Sequence, residues 1–285
     1  MKKLDAPALP ENPSVKIIGL GGVGAIIGRY VCLFLSAPSL NEDTRIVFID
    51  GDDYEPKNSS RMLFKKLGNK AKTMREEMLE YLDDSRVTII AVPEYVTPDN
   101  IEGLIQDGDF VFLAVDNHKT RQTVDQWVQF LDNIVLISAG NDPEGEDASG
   151  KELRGSFGNC QIYVRKDGKE VTNSLSQYHP EIADPQDSLP TEESCSDVLT
   201  SVPQILFTNM QAAACACQAF YRILANGPLH GEVTFDTVDA LMRPSPYPTP
   251  QDRAVAAQKD QEGQEWAPVD EDQEVAEVAE EKAAK

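Results

Sequence analysis

The residues with the most chemistry to offer are a glycine-rich turn near the start of the chain and a short polar loop one strand later. GLGGVG, Gly19 to Gly24, follows the apolar run Val15–Leu20 and opens a helix-like stretch, Val23–Leu35. Strand, glycine turn and helix N-terminus together make an anion site, because backbone N–H groups without helical partners and the positive end of the helix dipole converge there. Gly21, Gly22 and Gly24 are the candidates for close approach to a phosphate. The next strand-like run, RIVFID, ends in Asp50, where nucleotide-binding α/β folds hold a ribose hydroxyl. The loop that continues it, IDGDDYEPKNSSR, adds Asp52, Asn58 and Arg61. A nucleotide with a donor and a cation aimed at its phosphates points to phosphate chemistry, not hydride transfer.

The glycine pattern alone is the dinucleotide-binding fingerprint, and by itself it would place a nicotinamide-dependent oxidoreductase first. A tight turn that only lets helix and sheet pack closely would also need these glycines. Asp50 stands 26 residues beyond Gly24, against a spacing of roughly 20 in the dinucleotide fold. A dehydrogenase also has no chemical use for Asn58 and Arg61 so soon after the acidic residue.

Composition narrows the class further. At 285 residues and 41% hydrophobic content, the chain can bury a core as one large α/β domain with appendages. The formal net charge of −22 excludes general nucleic-acid binding and anionic membrane surfaces, both of which demand clustered Lys and Arg. Residues 251–285 hold eleven acids and four bases, a net of −7, so −15 remains on the rest. No signal-peptide pattern precedes Pro10 and Pro13, and no apolar run approaches the ~18–20 residues of a membrane span. The five cysteines show neither a disulfide framework nor a CxxC pair. A reduced, cytoplasmic protein is the expectation.

The elements that must position the motifs alternate. Strand candidates are Val15–Leu20, Arg45–Asp50, Val87–Val92, Phe110–Ala114 and Val135–Ser138; helix candidates between them are Val23–Leu35, Lys70–Leu82, Asn100–Ile105 and Thr120–Leu131. This reads as α/β, a Rossmann-like, mostly parallel sheet with flanking helices. Beyond Gly140 the chain becomes β-rich. A hairpin is expected around Lys166–Gly168, then a long exposed crossover loop from Thr172 to Ser194. A helix over Val202–Leu224 should follow, its apolar face including Leu206, Met210 and Phe220, and then a strand at Gly231–Thr237. The proline-rich stretch RPSPYPTP leads into an acidic tail, read as disordered or partly helical, with Trp266 as a candidate docking residue. The domain boundary is placed at 245, with 246–285 as tail.

These motifs, in this order from Val15 to about Thr237, resemble the ThiF/MoeB family, which is similar to the adenylation domain of ubiquitin-activating enzymes. GLGGVG matches the family's nucleotide turn, and IDGDDYEPKNSSR its acidic-x-acidic, Asn and Arg pattern. GNKA places Lys70 at the phosphate lysine, and LAVDNHKTR supplies Asp116 and Arg121. SCSDV (194–198), with NMQAAA (209–214) after it, matches the cysteine-bearing crossover segment and its helix. The chain departs from the family in lacking paired CxxC zinc motifs and in a spacing before Lys70 that is one residue short, which leaves Lys72 as an alternative phosphate ligand. Its N-terminal lead is also short and proline-bearing.

The resemblance implies an ATP-dependent enzyme that joins a C-terminal carboxylate to the α-phosphate and releases pyrophosphate. The carboxylate is already ionised, so the barrier is charge repulsion, and fixed cations, donors and Mg²⁺ lower it. In that scheme Asp50 holds the ribose, Asn58 donates, Arg61 and Lys70 supply charge, and Asp116 anchors Mg²⁺. Solvated surface charges at Arg61 and Lys70, or a helix N-cap at Asp116, are the competing readings. Cys195, in a polar segment beside a helix start, is the expected thioester nucleophile, although Glu192, Glu193 and Asp197 would raise its pKa. Cys32, Cys215 and Cys217 fall on apolar helical faces and read as packing residues. His118, His179 and His230 form no recognisable constellation. Expected partners are a small ubiquitin-like or sulfur-carrier protein, a conjugating enzyme and a second copy of the chain. Sulfur-carrier adenylation for thiamine or molybdopterin biosynthesis is the alternative within the family, and a nucleotide-binding pseudo-enzyme the alternative outside catalysis.

Overall fold

The computed structural model describes residues 5–37, 40, 42–82, 86–146, 152–192 and 204–246. In chain order the elements are β1 (Ser14–Ile18), α1 (Gly24–Leu35), β2 (Thr44–Ile49), β3 (Asp53–Tyr54), a 3-10 turn (Pro56–Ser60), β4 (Gly68–Asn69), α2 (Lys70–Tyr81), β5 (Val87–Val92), α3 (Ile101–Leu104), β6 (Phe110–Leu113) and α4 (His118–Val128). The C-terminal half adds β7 (Ile134–Asn141), β8 (Glu144–Glu146), β9 (Glu152–Arg154), β10 (Phe157–Lys166), β11 (Lys169–Glu170), α5 (Leu175–Tyr178), α6 (Pro180–Ala183), α7 (Leu206–Asn226), β12 (Glu232–Asp236) and β13 (Leu241–Ser245).

The main sheet runs β13-β12-β10-β7-β6-β1-β2-β5, with β11 beside β10. From β5 to β7 every pairing is parallel, whereas β10, β12 and β13 add antiparallel strands beyond β7. This is the Rossmann-like α/β fold expected, with its β-rich extension. Strand alternation divides the core into two layers. Val15, Ile17, Phe110 and Phe112 face α1, α2 and α7, while Ile18, Val111 and Leu113 face α3, α4, α5 and α6. Phe220 of α7 anchors the first layer, its ring set edge-on to Phe110 at 5.4 Å and Phe112 at 5.3 Å.

Connectivity decides where a ligand can enter. After β1 the chain moves outward through β2 to β5, then returns to lay β6 on the other side of β1. That reversal opens a crevice beyond the C-terminal ends of β1 and β6, the position where doubly wound sheets bind ligands. Gly19, just past β1, and Ala114, just past β6, meet there: a methyl group on Gly19 would lie 2.7 Å from the Ala114 carbonyl oxygen, and Gly19 has φ +82°.

Several expectations are corrected. The loop from Thr172 contains α5 and α6 and buries Thr172, Ser174, Leu175, Ile182 and Leu189. It is anchored by Asp125 of α4, a fully buried carboxylate that accepts hydrogen bonds from the Leu175 N–H (2.8 Å) and Ser176 Oγ (2.6 Å). Helix α7 begins later than expected and its buried face is rotated from the expected one, keeping Phe220 inside. Thr208, Asn209, Ala212 and Ala216 are buried, while Leu206 and Met210 are exposed. Strand β13 crosses the start of the proline-rich stretch; as an edge strand it tolerates Pro244, whose missing N–H leaves no interior ladder broken. No helix among the described residues is long and apolar enough to cross a membrane.

Candidate active site

Asp50, the residue after β2, organises the glycine turn from below. Its Oδ2 accepts the Leu20 N–H at 2.5 Å and its Oδ1 the Asp52 N–H at 2.8 Å. One carboxylate thus ties the turn after β1 to the turn after β2. Burial raises the Asp50 carboxyl above its ordinary range, against the pull of Lys70 and the two N–H donors. Gly24 lies so close under Gly19 that any β-carbon would overlap the Gly19 carbonyl oxygen. The turn therefore needs glycine for its shape as well as for ligand approach.

Lys70 is the first residue of α2 and is buried. Its Nζ lies 2.7 Å from Asp52 Oδ2 and 4.0 Å from Asp50 Oδ2. Burial alone would lower its pKa, but the carboxylates of Asp50, Asp52 and Asp116 raise it above the usual lysine range. Asp52 is held in the opposite sense: burial would raise it, but Lys70 and the Tyr95 hydroxyl carry it below the usual carboxylate range. Lys72, two residues on, points to solvent. Its backbone N–H serves the helix start instead, donating to Asn69 Oδ1 at 3.1 Å.

The 3-10 turn carries Asn58 and ends at Arg61. Asn58 is buried, and its Oδ1 accepts the Glu55 N–H at 2.8 Å, closing a capping box. Arg61 is half-buried, and Met62 beside it approaches Gly21 across about the width of one methyl contact. Arg29 of α1 docks this segment by donating to the Leu63 carbonyl while pairing with Glu77 of α2 at 3.0 Å.

Asp116 follows β6 and is exposed, within the electrostatic reach of both Lys70 and Arg121. It does not cap α4. Asn117 does so, accepting the Thr120 N–H at 2.7 Å, and the Asp187 carboxylate takes the N–H groups of His118 (2.6 Å) and Lys119 (2.8 Å). Arg121 is buried and donates to Ser138 Oγ (2.7 Å) and the Val115 carbonyl (2.8 Å). Its role here is to brace the ends of β6 and β7.

The structure thus gathers Gly21, Gly22, Gly24, Asp50, Asp52, Lys70 and Asp116 around one crevice, with Asn58 and Arg61 on the segment packed beside Gly21. Cys195 lies outside the described residues. The model of the ThiF family matches residues 10–241. The chain belongs to the ThiF family.

Solved structures share its fold. PaaA superposes with a TM-score of 0.58 at 18% identity, covering 82% of this chain and 64% of that one. MccB of E. coli with ATP superposes at 0.57 and 16% identity, and MccB with AMPCPP and MccA at 0.57 and 14%; both comparisons cover 83% of this chain and 64% of the other. The ThiF-family chain therefore spans a little under two thirds of the length of these proteins. No curated protein sequence matches it.

Two contributors to this ThiF-family site were not read from the sequence. Tyr95 packs its ring against Gly51, leaving no room for a side chain there, and its hydroxyl donates to Asp52. Asn69 donates from Nδ2 to the carbonyls of Asp50 (2.9 Å) and Asp52 (3.1 Å), fixing the turn that carries both carboxylates. Tyr95 follows β5, the neighbour of β2, so only knowledge of strand order could have placed it there.

Of the three histidines, His179 sits in an acidic cluster. His179 Nδ1 lies 2.6 Å from Glu181 Oε1 and Nε2 2.6 Å from Glu232 Oε1, with Asn159 alongside. The hydrogen bond to Glu232 raises its pKa above the usual imidazole value; burial opposes this and Glu181 adds to it. A histidine raised in the folded state stabilises the fold fully below its unfolded pKa of about 6.5 and loses that contribution as pH rises through the folded value. The resistance of the wild type to urea should accordingly fall from about pH 6.5 upward, and His179→Gln should flatten that slope. An unchanged slope in the variant would show that His179 does not titrate with folding.

Proposed function

We propose that this chain adenylates the C-terminal carboxylate of a small protein at the expense of ATP. The supporting observation is Lys70, a buried cation held at the mouth of a glycine turn by two carboxylates, with a third, Asp116, in its field. A hydride-transfer site has no need of that charge. In the proposed reaction the N–H groups at the start of α1 receive phosphate oxygens and Asp50 receives the ribose. Arg61 and Lys70 offset the negative charge that builds on the departing pyrophosphate. The acceptor carboxylate attacks the α-phosphorus, a phosphorus–oxygen bond to it forms, and the bond to pyrophosphate breaks. No proton need be removed from the nucleophile.

Mg²⁺ fits the residues present, because it is commonly held by one or two carboxylates with the remainder of its shell from phosphates and water. Exposed Asp116 is the residue that would hold it, and it would supply further positive charge to the triphosphate.

The proposed acceptor is a ubiquitin-like or sulfur-carrier protein ending in glycine, served by a cytoplasmic homodimer whose adenylation domain is residues 1–245. Structures of MccB with AMPCPP and MccA support the idea that this fold can hold a nucleotide and a second molecule together. Cys195 is proposed to take the acyl group from the adenylate as a thioester, releasing AMP. The test is carboxylate-dependent exchange between ATP and labelled pyrophosphate, run with wild type and Cys195→Ala. Both should exchange, and only the wild type should form a thiol-sensitive adduct with the carrier. Tight NAD binding without exchange would overturn adenylation; an adduct that survives Cys195→Ala would remove only the thioester role.

A further inference from the structure

Asn209 is the residue whose chemistry the fold leaves unexplained. It lies in the first turn of α7 with no solvent exposure, and its backbone N–H continues the helix by donating to the Ile205 carbonyl at 3.1 Å. Among the described residues its carboxamide has no hydrogen-bond partner at either Oδ1 or Nδ2. A buried amide that makes no hydrogen bond is costly, and native folds satisfy the great majority of such groups. The residue is thus a poor choice for packing alone, at a helix position where a leucine of similar volume would fit an apolar layer.

The carboxamide is pressed against the glycine turn. A β-carbon on Gly22 would overlap Asn209 Nδ2, would lie 3.0 Å from its Cγ, and would lie 3.4 Å from Gln204 Oε1. Gly22 is therefore glycine because Asn209 occupies its side-chain space, which sets the Nδ2 donor against the turn that opens α1. An amide carries both functions and can serve an N–H and a carbonyl of that turn together. An unsatisfied buried group of this kind calls for a specific explanation, and a functional role is one of the few available.

We propose that Asn209 is a positioning residue for the glycine turn: its carboxamide hydrogen-bonds the Gly22 peptide groups when the turn closes on the nucleotide phosphates. The bonds missing in the ligand-free fold are then made in the loaded one, so the residue favours the loaded state selectively. The inference rests on the ATP reading above.

The experiment measures ATP affinity and thermal unfolding for the full chain and for Asn209→Leu. The variant should unfold at or above the wild-type temperature, because an orphaned amide has been replaced by an apolar group of similar shape. Its ATP dissociation constant and its KM for ATP in pyrophosphate exchange should rise about tenfold, with kcat at saturation little changed. Gly22→Ala supplies an independent arm: it should weaken folding on its own, and Asn209→Ala should relieve it in the double variant by clearing the overlapped space. A leucine variant that loses stability or fails to fold would assign Asn209 to structure alone and overturn the proposal. Wild-type ATP affinity in that variant would overturn it as well. If the wild type itself binds no ATP, the adenylation reading falls first and this one with it.

Discussion

Replacing Lys70 with methionine is expected to damage both the fold and the chemistry, while the same change at Lys72 should do neither. Methionine keeps most of the apolar stem but removes the charge that sits 2.7 Å from Asp52 and 4.0 Å from Asp50. Asp50 would remain buried without its cation, and breaking such a pair costs about 3 kcal/mol when one partner stays behind. Half-exposed Asp52 adds little, since solvent screens it. Pyrophosphate exchange should fall by a further 10²–10³-fold, roughly the effect of removing one preorganised charge-stabilising donor. Arg61→Ala should reduce turnover on the same scale, with less change in stability because Arg61 is only half-buried. Urea unfolding separates the two losses. If Lys72→Met produced the larger defect in exchange, the phosphate ligand would be the exposed lysine and the site would have to rearrange on binding.

Gly24→Ala and Gly21→Ala should both weaken nucleotide binding but differ sharply in stability. At Gly24 the new methyl would overlap a backbone oxygen, that of Gly19, and lie 3.2 Å from Ala114 Cβ. Neither neighbour can swing aside, so the turn must open, at a cost near the upper end of overpacking effects, about 3 kcal/mol. Nucleotide binding would be lost with it. At Gly21 the nearest atom to a new methyl is the flexible end of Met62, 4.0 Å away. Stability should stay within about 0.5 kcal/mol of wild type. ATP affinity should nevertheless fall at least about tenfold, or 1.4 kcal/mol, because the methyl stands where the backbone must approach phosphate. Calorimetric titration with ATP on the folded Gly21→Ala protein is the deciding measurement. Undiminished affinity would show that the ligand does not press on Gly21.

The parallel half of the fold was legible because its signals are local. Buried parallel strands are short apolar runs, helices repeat at 3.6 residues, and the glycines mark a turn whose geometry follows from backbone sterics. The clustering of the candidate site residues was legible for a related reason. Gly19–Gly24, Asp50 and Lys70 all lie at or next to element ends on consecutive units, so the order of elements nearly determines their proximity. The apolar face of α7 was right at Ala213 and Phe220 but wrong at Leu206 and Met210, because the helix has small or apolar residues on most of its sides and what covers each is set by the sheet rather than by the helix.

What the chain's own order determined, then, was the α/β class, the crevice-lining glycines and the acidic and basic residues around them. Their partners were decided only in three dimensions. That Asp50 holds Leu20, that Tyr95 holds Asp52, and that His179 reaches Glu232 depend on pairs 30, 43 and 53 residues apart. Hydrogen bonds and ion pairs act over a few ångströms and carry no periodic trace in sequence. Only the pairing of β2 with β1 and β5, and the approach of the segment after α5 to β12, brings the long-range partners within bonding distance.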